Sequence, residues 1–435
     1  MILYKGKTYE NSEQEPLFET LEKDCLDTLD NNKSLKPAMV IDACDQLTQN
    51  IEAGKFDHLI QPLLSTFDIP EAHFEHYLSM FKKEALEKKV KIELGEDHKT
   101  LDPLDENNER AIRPLGILFH IAAGNLDVLP AYSLIEGLLV GNINILKLPT
   151  GDKGLSVKLL SALIEIEPRL SDYIYVFDVP SIEIDTLKIF ADIADAIVVW
   201  GGNEAIKAAR TMASPNTKLI EWGHKLSFAY ADSSATDEDL RGLAKNIVTT
   251  NQLLCSSAQG IYVDTNDREE LDRFAKRFFD ILNEVSNAHQ PVPYGMKSKN
   301  AVELYYEDMV KEDTGKRIYK KDGVSVITSD DSALELSMLF RNVWVKMLPC
   351  DSIVKALKPY KNYLQTATVL SEKKYEAYVG KLIKVGVVRI KKPGEMSEAL
   401  LGESHDGMYP LRLYTNIVET TITIEKCKLE TPYQS

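Results

Sequence analysis

Short apolar runs alternate with helical segments along most of this chain. Runs such as Ala196–Trp200 are apolar without interruption, and between them lie segments such as Leu155–Ile166 whose apolar residues recur at helical spacing. A strand that is buried on both faces is apolar throughout, and strands that alternate with helices form parallel sheets. The sequence therefore predicts an α/β fold built on parallel sheets. The expected strands include Ala196–Trp200, Lys218–Trp222, Leu226–Ala231 and Val385–Ile390, and the charge run Lys311–Asp322 is expected to form a solvated loop or an exposed helix.

The strand and helix rhythm runs twice, which predicts two successive parallel α/β units. We assign residues 109–225 to the first unit and residues 226–405 to the second. Residues 1–108 are charge-rich and mainly helical in pattern, and we expect them to pack on the core. Residues 406–435 include Tyr414–Ile424, whose alternation predicts a half-buried antiparallel strand, a β arm that could contact a second copy in a homo-oligomer.

Composition and charge exclude several classes of partner. The chain is 44% hydrophobic and 27% charged, as in an ordinary globular protein, and its net charge is −16. Nucleic acid and anionic membrane surfaces would be repelled, and no apolar run approaches the about 20 residues that insert through a bilayer. The first residues, MILYKGKTYENSEQ, turn polar too early for a secretory signal. We therefore expect a cytoplasmic protein.

Cysteine usage predicts no disulfide framework and no metal site. The five cysteines are scattered, without a CxxC pair or clustered histidines. One of them, Cys255 in NQLLCSS, stands between a helical stretch and an apolar strand. A thiolate there is a candidate nucleophile. The alternative is a small buried hydrophobic residue, which is the usual role of a free cysteine.

Glu221 is the candidate proton carrier. It follows an apolar strand and precedes Gly223, so it should stand near the carboxyl end of that strand, where open α/β sheets bind ligands. Burial there would raise its pKa and suit it to proton transfer. An exposed loop glutamate is the alternative.

Three strand ends offer further candidates. At Gly124–Asn125 a turn could present a carboxamide to an oxyanion, or Asn125 could simply cap the next helix. His120, in the apolar run before it, is assigned to the core. Lys147 closes another strand, and Gly201 and Gly202 form a strand-to-helix turn that suits a pyrophosphate but also any tight turn.

In order and spacing these residues resemble the aldehyde dehydrogenase superfamily, and within it the LuxC-type acyl-CoA (fatty acyl) reductases. The resemblance covers about residues 110–420 and includes RPLGILFHIAAGN, LVGNINILKLP, EWGHK, NQLLC and HDGMYPLRLY. It implies an aldehyde dehydrogenase-like fold in which residues 109–225 form the nucleotide-binding unit and residues 226–405 the catalytic unit. Cys255, Glu221 and Asn125 would be the catalytic residues. Lys147, Thr150, Gly201, Gly202 and Gly223 would bind the cofactor.

The resemblance implies reduction of an acyl thioester, with acyl-CoA or an acyl donor protein as the partner, through an acyl-enzyme on Cys255. Aldehyde dehydrogenases that prefer NAD commonly carry a glutamate three residues after the strand-end lysine, where this chain has Thr150. Thr150 would not repel a 2′-phosphate and Lys147 could pair with it, so NADPH is expected in preference to NADH.

The chain also departs from the superfamily pattern. His224 replaces a glycine of ELGGK, and Arg341–Leu348 lacks the acidic residue that holds the nicotinamide ribose. His405 and Asp406 match a family-like HDG segment, which we interpret as a surface turn. An oxidising or CoA-acylating aldehyde dehydrogenase, which uses the same residues, and a non-catalytic acyl carrier or scaffold are the alternative functions.

Overall fold

The computed structural model describes residues 1–31, 35–66, 74, 78–95, 101–105, 108–124, 128–150, 152, 154–398 and 400–421. The chain divides into two compact units. The first comprises residues 1–223 together with 400–435, and the second comprises residues 224–399.

The strands and helices follow one another along the chain within these units. The strands are β1 Ile2–Tyr4, β2 Lys7–Tyr9, β3 Leu101–Asp105, β4 Asn108–Pro114, β5 Ile117–Ile121, β6 Ile143–Lys147, β7 Ile174–Phe177, β8 Ala196–Trp200, β9 Lys218–Trp222, β10 Leu226–Ala231, β11 Ala258–Val263, β12 Arg317–Lys321, β13 Val324–Ser329, β14 Asn342–Met347, β15 Leu364–Leu370, β16 Arg389–Ile390 and β17 Thr415–Thr420. The helices are α1 Glu15–Asp30, α2 Pro37–Glu52, α3 Asp57–Thr66, α4 Lys83–Leu94, α5 Leu129–Leu139, α6 Leu155–Ile166, α7 Ile184–Ile193, α8 Asn203–Met212, α9 Asp237–Thr250, α10 Arg268–Asn287, α11 Tyr294–Thr314, α12 Ile353–Leu357, α13 Tyr375–Val385 and α14 Pro410–Leu413.

The first unit is built on a sheet of strand order β2-β1-β7-β6-β5-β8-β9. Strands β5 to β9 are parallel, with β6 and β7 on one side of β5 and β8 and β9 on the other. The winding therefore changes direction between β5 and β8. Ligands of open α/β sheets bind beyond the carboxyl ends of the strands at such a switch point. Both β6 and β8 are buried along their whole length, which explains the uninterrupted apolar sequence of β8, whereas β6 also buries Asn144 and Lys147.

The two ends of the chain add antiparallel strands to the first unit. Strands β1 and β2 form a hairpin, and β1 pairs with β7 at the edge of the sheet. This hairpin was not expected in an N-terminal region that is mainly helical in pattern. Strand β17 pairs with β4 and β4 with β3 in a separate three-stranded sheet. The antiparallel strand was predicted, but its half-burial was not observed, because Ile417 and Val418 are both exposed.

The second unit contains another seven-stranded sheet, of order β12-β13-β14-β11-β10-β15-β16. All its neighbouring strands are parallel except β12, which pairs antiparallel with β13 at one edge. The α/β fold with two largely parallel sheets is thus confirmed. Three strands and one helix have the predicted bounds: β8, β9, β10 and α6.

Three local predictions differ from the structure. The expected strand Val385–Ile390 is wrong, because Val385 ends α13 and only Arg389–Ile390 is a strand. The charge run Lys311–Asp322, expected as a loop or exposed helix, contains the end of α11 and the edge strand β12, where charged side chains face solvent. Helix α11 was not predicted, because its apolar side chains do not form a core-facing stripe.

Candidate functional site

Cys255 lies in a loop that is fixed by its own polar residues. Helix α9 ends at Asn251, which adopts a left-handed conformation with φ of 47°, and Gln252 follows with φ of 63°. The buried Gln252 side chain donates to the carbonyls of Ala258 and Asn342 and accepts from the Arg341 backbone N–H. The first two residues of NQLLC therefore terminate the helix and anchor the loop.

The Cys255 side chain is exposed, unlike the buried Cys25 and Cys44. Burial raises the pKa of the Cys25 thiol to about 12 and raises that of Cys44 further, so these two are poor nucleophiles at neutral pH. The Sγ of Cys255 accepts a hydrogen bond from Gln365 Nε2 at 3.2 Å. Its position excludes the alternative of a small buried hydrophobic residue.

Neighbouring strands also hold the backbone of Cys255. Ser227 Oγ, on β10, donates to the Cys255 carbonyl at 2.6 Å and accepts from the Thr366 backbone N–H, on β15, at 3.1 Å. The exposed residues Leu253 and Leu254 precede the thiol directly. The nucleophile candidate is thus fixed at its carbonyl and bordered by apolar surface.

Glu221 stands in the first unit, near the carboxyl end of β9. Both of its carboxylate oxygens accept hydrogen bonds from Arg210 on α8, with Nε to Oε1 at 2.5 Å and Nη2 to Oε2 at 2.7 Å. Its side chain is 25% exposed. Glu221 therefore lies within β9 and is partly buried, and an arginine on α8 pairs with its carboxylate.

The glycines of the expected phosphate turn lie between β8 and α8. Gly201 has φ of 156°, and a Cβ there would approach that of Ala205 to 2.9 Å. Gly202 precedes the first turn of α8 in an extended conformation, and an added Cβ would meet no atom within 4 Å. A Cβ at Gly223 would lie 3.1 Å from the Ile206 side chain, so Gly223 permits close packing of the chain after β9 against α8.

Lys147 is a buried cation at the end of β6. It is 2% exposed, and its Nζ donates to Ser181 Oγ at 2.8 Å. Burial lowers its pKa, which the charge of Asp178 partly offsets. It forms no ion pair with a carboxylate of the described residues, so its positive charge is only partly compensated and could pair with an anionic ligand. Thr150, three residues later, is exposed.

His120 belongs to the core, as predicted. It is fully buried, with Nδ1 2.8 Å from Ser133 Oγ and Nε2 3.0 Å from Asn144 Oδ1. Burial lowers its pKa to about 4, so the ring is neutral at pH 7. The candidate oxyanion residue Asn125 lies outside the described residues.

His405 and Asp406 begin a tight turn, as predicted: the backbones of His405 and Met408 exchange both hydrogen bonds, and Gly407 at the tip is exposed. The His405 ring packs edge-on against Trp200 and Trp222, with centroids 5.0 and 4.9 Å away, and these two indoles stack on each other at 5.3 Å. The Asp406 side chain is only 3% exposed. Tryptophans at the ends of β8 and β9 thus give this segment a packed position beside the glycine turn.

The polar side chains of Arg341–Leu348, the segment at the position of the superfamily's ribose-binding motif, bind other residues of the protein. Arg341 binds Ser286 and the carbonyl of Gln290, and the buried Lys346 pairs with Asp331 and Glu335. The segment contains no acidic residue that could bind the ribose hydroxyls.

The two units divide the candidate residues. The cofactor candidates and Glu221 belong to the first, with Lys147, Gly201 and Glu221 all near the carboxyl edge of its sheet, and Cys255 belongs to the second. Sequence reasoning missed the polar partners of these residues: Ser181, Arg210, Ser227, Gln365 and Arg389. The one signal was Gln365 within LQTATVL, an amide in an otherwise nearly apolar buried strand.

Among the described residues, none of the helices has both the length and the apolar character needed to span a bilayer. The same residues contain no group of three or more His, Cys, Asp or Glu side chains that could hold a metal ion.

Comparison with known proteins identifies relatives over most of the chain. The family described as "Acyl-CoA reductase (LuxC)" matches residues 37–416. A long-chain acyl-protein thioester reductase of Aliivibrio fischeri is 27% identical over 353 residues, covering 77% of this chain and 70% of its own. One from Photorhabdus luminescens is 29% identical, covering 75% and 69%.

Solved structures share the fold at lower identity. The putative aldehyde dehydrogenase PutA of Anabaena variabilis superposes with a TM-score of 0.68 at 15% identity, covering 93% of this chain and 92% of that one. The glyceraldehyde-3-phosphate dehydrogenase GapN of Methanocaldococcus jannaschii, complexed with NADP, gives 0.69 at 12% identity, with 95% of each chain covered. The fold is therefore that of the aldehyde dehydrogenases.

Proposed function

The chain belongs to the LuxC family of acyl-CoA reductases, and from that premise we propose that it reduces a long-chain acyl thioester to the aldehyde with NADPH, through an acyl-enzyme on Cys255. The observation that carries this proposal is the exposed thiol of Cys255, which accepts a hydrogen bond at sulfur, whereas Cys25 and Cys44 are buried and Cys350 is only partly exposed. In this proposal the first unit binds the nucleotide and the second performs acyl transfer.

The first step is attack of the Cys255 thiolate on the thioester carbonyl. A new carbon–sulfur bond forms, the bond to the donor sulfur breaks, and the donor leaves as a thiol once it gains a proton. One thioester replaces another, so the exchange is close to thermoneutral. The fixed carbonyl of Cys255, held by Ser227, keeps the nucleophile on one trajectory.

Two further residues serve that step. Asn125 and the Cys255 backbone N–H would hold the tetrahedral oxyanion, and Glu221 would accept the thiol proton. For Glu221 to act, its carboxylate must exchange one hydrogen bond from Arg210 for the thiol proton. It should not activate water in this direction, since hydrolysis would release the acyl group before its reduction.

The residues at the carboxyl edge of the first sheet support the proposal that the cofactor is NADPH. When bound, the cofactor supplies the hydride that reduces the acyl-enzyme. The turn at Gly201 and Gly202, before α8, would receive the pyrophosphate, with Gly223 allowing that helix to pack close to β9. The partly compensated charge of Lys147 would pair with the 2′-phosphate, and Thr150 leaves room for that group.

The exposure of Leu253 and Leu254 is evidence for a substrate whose acyl chain has substantial apolar surface. Both are exposed immediately before the nucleophile. The names of the relatives specify long-chain acyl-protein donors, so the donor here is an acyl-CoA or an acylated protein. Exposed apolar residues on β17, including Ile417, support a homo-oligomer.

Intact-mass spectrometry with tetradecanoyl-CoA tests the proposal. We expect the protein to gain one tetradecanoyl group, and the adduct to disappear, with aldehyde formed, when NADPH is added. Cys255→Ala should give no adduct. Cys350→Ala is the matched control, because Cys350 is a partly exposed thiol of the same unit, and it should acylate like the wild type.

An adduct that maps to another cysteine would overturn the site assignment. An adduct that NADPH never discharges would favour the acyl carrier. Aldehyde supplied with NADP separates the remaining alternative: formation of free acid without coenzyme A would identify an oxidising aldehyde dehydrogenase instead of a thioester reductase.

A further inference from the structure

Gln365 is a buried amide whose donor group contacts the candidate nucleophile. It lies on β15, is 4% exposed, and places its Nε2 3.2 Å from the Sγ of Cys255. An N–H that donates to sulfur interacts more strongly with a thiolate than with a neutral thiol, because hydrogen bonding to a charged form favours that form.

The surroundings of Gln365 decide which end of its amide faces the sulfur. Arg389 Nη2 lies 3.4 Å from Oε1, and an arginine can only donate, so the end that faces it must be the oxygen. Arg389 Nε also donates to Thr366 Oγ1 at 2.8 Å, and that hydroxyl in turn donates to Gln365 Oε1 at 3.3 Å. The amide nitrogen is therefore directed at Cys255.

The same strand holds the cysteine at a second point. The Thr366 backbone N–H donates to Ser227 Oγ, which donates to the Cys255 carbonyl. Adjacent residues of β15 thus fix both the carbonyl and the sulfur of Cys255. The charged group in this arrangement is Arg389, on the neighbouring strand β16, whose guanidinium polarises the amide.

We propose that Gln365, oriented by Arg389 and Thr366, is a catalytic residue that stabilises the Cys255 thiolate for attack on the acyl carbonyl. This inference rests on the proposed function and adds to it a second contribution to thiol activation beside Glu221. It predicts that the thiol of Cys255 is reactive at neutral pH before any acyl donor or cofactor is bound.

Alkylation by iodoacetamide tests the proposal without substrate or cofactor. In that reaction the Cys255 thiolate forms a bond to carbon and iodide leaves. The rate at each pH is followed by peptide mass spectrometry, with Cys350 of the same molecule as an internal reference. Gln365→Met keeps the length of the side chain but removes the donor, and we expect alkylation of Cys255 at pH 7 to slow about tenfold, with the wild-type rate recovered at high pH.

Two further variants exclude a merely structural effect. Gln365→Glu places a carboxylate beside the sulfur and should slow the neutral-pH reaction at least as much. Gln259→Met is the matched control, because Gln259 is a buried amide that binds the carbonyls of Gln252 and Ser257 in the same loop without contacting the sulfur. It should leave the pH midpoint of Cys255 alkylation unchanged even if it lowers the melting temperature.

An equal change in Gln259→Met, or an unchanged midpoint in both Gln365 variants, would overturn the proposal. If Gln365→Met does not fold, Arg389→Met retains Gln365 but removes the cation that orients it, and a smaller rise of the same midpoint is expected. The proposed function fails separately: it fails if wild-type Cys255 takes no acyl group from tetradecanoyl-CoA, whatever the alkylation profile.

Discussion

Arg210 donates two parallel hydrogen bonds, of 2.5 and 2.7 Å, to the carboxylate of Glu221. The two residues lie on α8 and β9 of the same unit, and the arginine is largely exposed. Such an exposed pair adds little to folding stability, but its two hydrogen bonds hold the carboxylate in one orientation. If Glu221 carries the thiol proton, Arg210 positions it.

Replacement of Glu221 tests the proton-carrier role directly. We expect Glu221→Gln to slow acylation of Cys255 about a hundredfold at pH 7 and far less at pH 9, where the thiol ionises unaided. Rapid-quench mass spectrometry of the acyl adduct measures both rates. Glu204→Gln, on the first turn of α8, is the control and should behave as the wild type. Equal slowing at both pH values would remove Glu221 from this role.

Replacement of Arg210 tests whether the ion pair positions the proton carrier. In Arg210→Met the Glu221 carboxylate loses both hydrogen bonds that fix its orientation. We therefore expect acylation of Cys255 at pH 7 to slow about fivefold, because a misoriented carboxylate reaches the thiol less often, and to slow far less at pH 9, where the thiol ionises unaided. Rapid-quench mass spectrometry of the acyl adduct measures both rates. An acylation rate equal to that of the wild type at pH 7 would show that the ion pair does not position Glu221.

Lys147→Met should stabilise the protein and remove NADPH binding together. The wild-type lysine places a charge in a buried site where its described partner is a hydroxyl, so a methionine of similar size is expected to raise the free energy of unfolding by about 1–3 kcal/mol. Urea denaturation measures that gain. The thermal shift that NADPH gives the wild type should disappear, and that given by NADH should fall less.

Lys346→Met is the control for Lys147→Met. Lys346 is equally buried but pairs with Asp331 and Glu335, at 2.6 and 2.7 Å. Its removal leaves these carboxylates without their cation, so unfolding should become easier by about 1 kcal/mol. If both lysine variants destabilise the protein alike, the partners of Lys147 within the protein already compensate its charge, and an anionic ligand is not needed to do so.

The sequence predicted the elements of this fold better than the contacts of its site. Buried parallel strands such as Ala196–Trp200 have a continuous apolar pattern that is local and easily recognised. Helix α11 escaped prediction, because Tyr305, Tyr306 and Met309 on it are exposed and blur the helical pattern. Residues 385–390 read as one strand because helix and strand are indistinguishable in short apolar runs.

Site residues were predictable where a family motif fixes them and not where the fold brings distant residues together. Cys255 and Glu221 stand in recognisable segments. Gln365 reaches Cys255 only because β15 and β11, the strand that follows the Cys255 loop, both pair with β10, although 110 residues separate the two side chains in sequence. Arg210 likewise meets Glu221 only when α8 packs beside β9. Sequence spacing carries no information on such pairs.

His120 should make the stability of the first unit depend on pH. Its pKa is about 4 in the folded protein and 6.5 in the unfolded chain, so the unfolded state binds more protons and stability falls as the pH drops below 6.5. At pH 5 the loss from this residue is about 2 kcal/mol. His120→Gln keeps a polar group near Ser133 and Asn144 but removes the titration.

Urea denaturation at pH 7.5 and pH 5 measures the effect of His120. The wild type should lose about 2 kcal/mol more than His120→Gln between the two values, because other titrating groups contribute equally to both proteins. His58→Gln, which changes an exposed histidine of the same unit, should follow the wild type. A variant with the same pH dependence as the wild type would mean that His120 is protonated without cost in the folded state.

Leu253 and Leu254 should set the preference for long acyl chains. They are 54% and 36% exposed directly before Cys255, and their apolar surface would be covered by the chain of a bound acyl-enzyme. We expect the double change to asparagine to lower kcat/KM for tetradecanoyl-CoA about tenfold and to leave the value for acetyl-CoA within a factor of about two, since an acetyl group has too little surface to reach them. Ile383→Asn on α13, where the wild-type side chain is 58% exposed, controls for loss of surface apolarity and should alter neither value. A loss of equal size for both substrates would mean that the leucines support the loop of Cys255 and do not contact the chain.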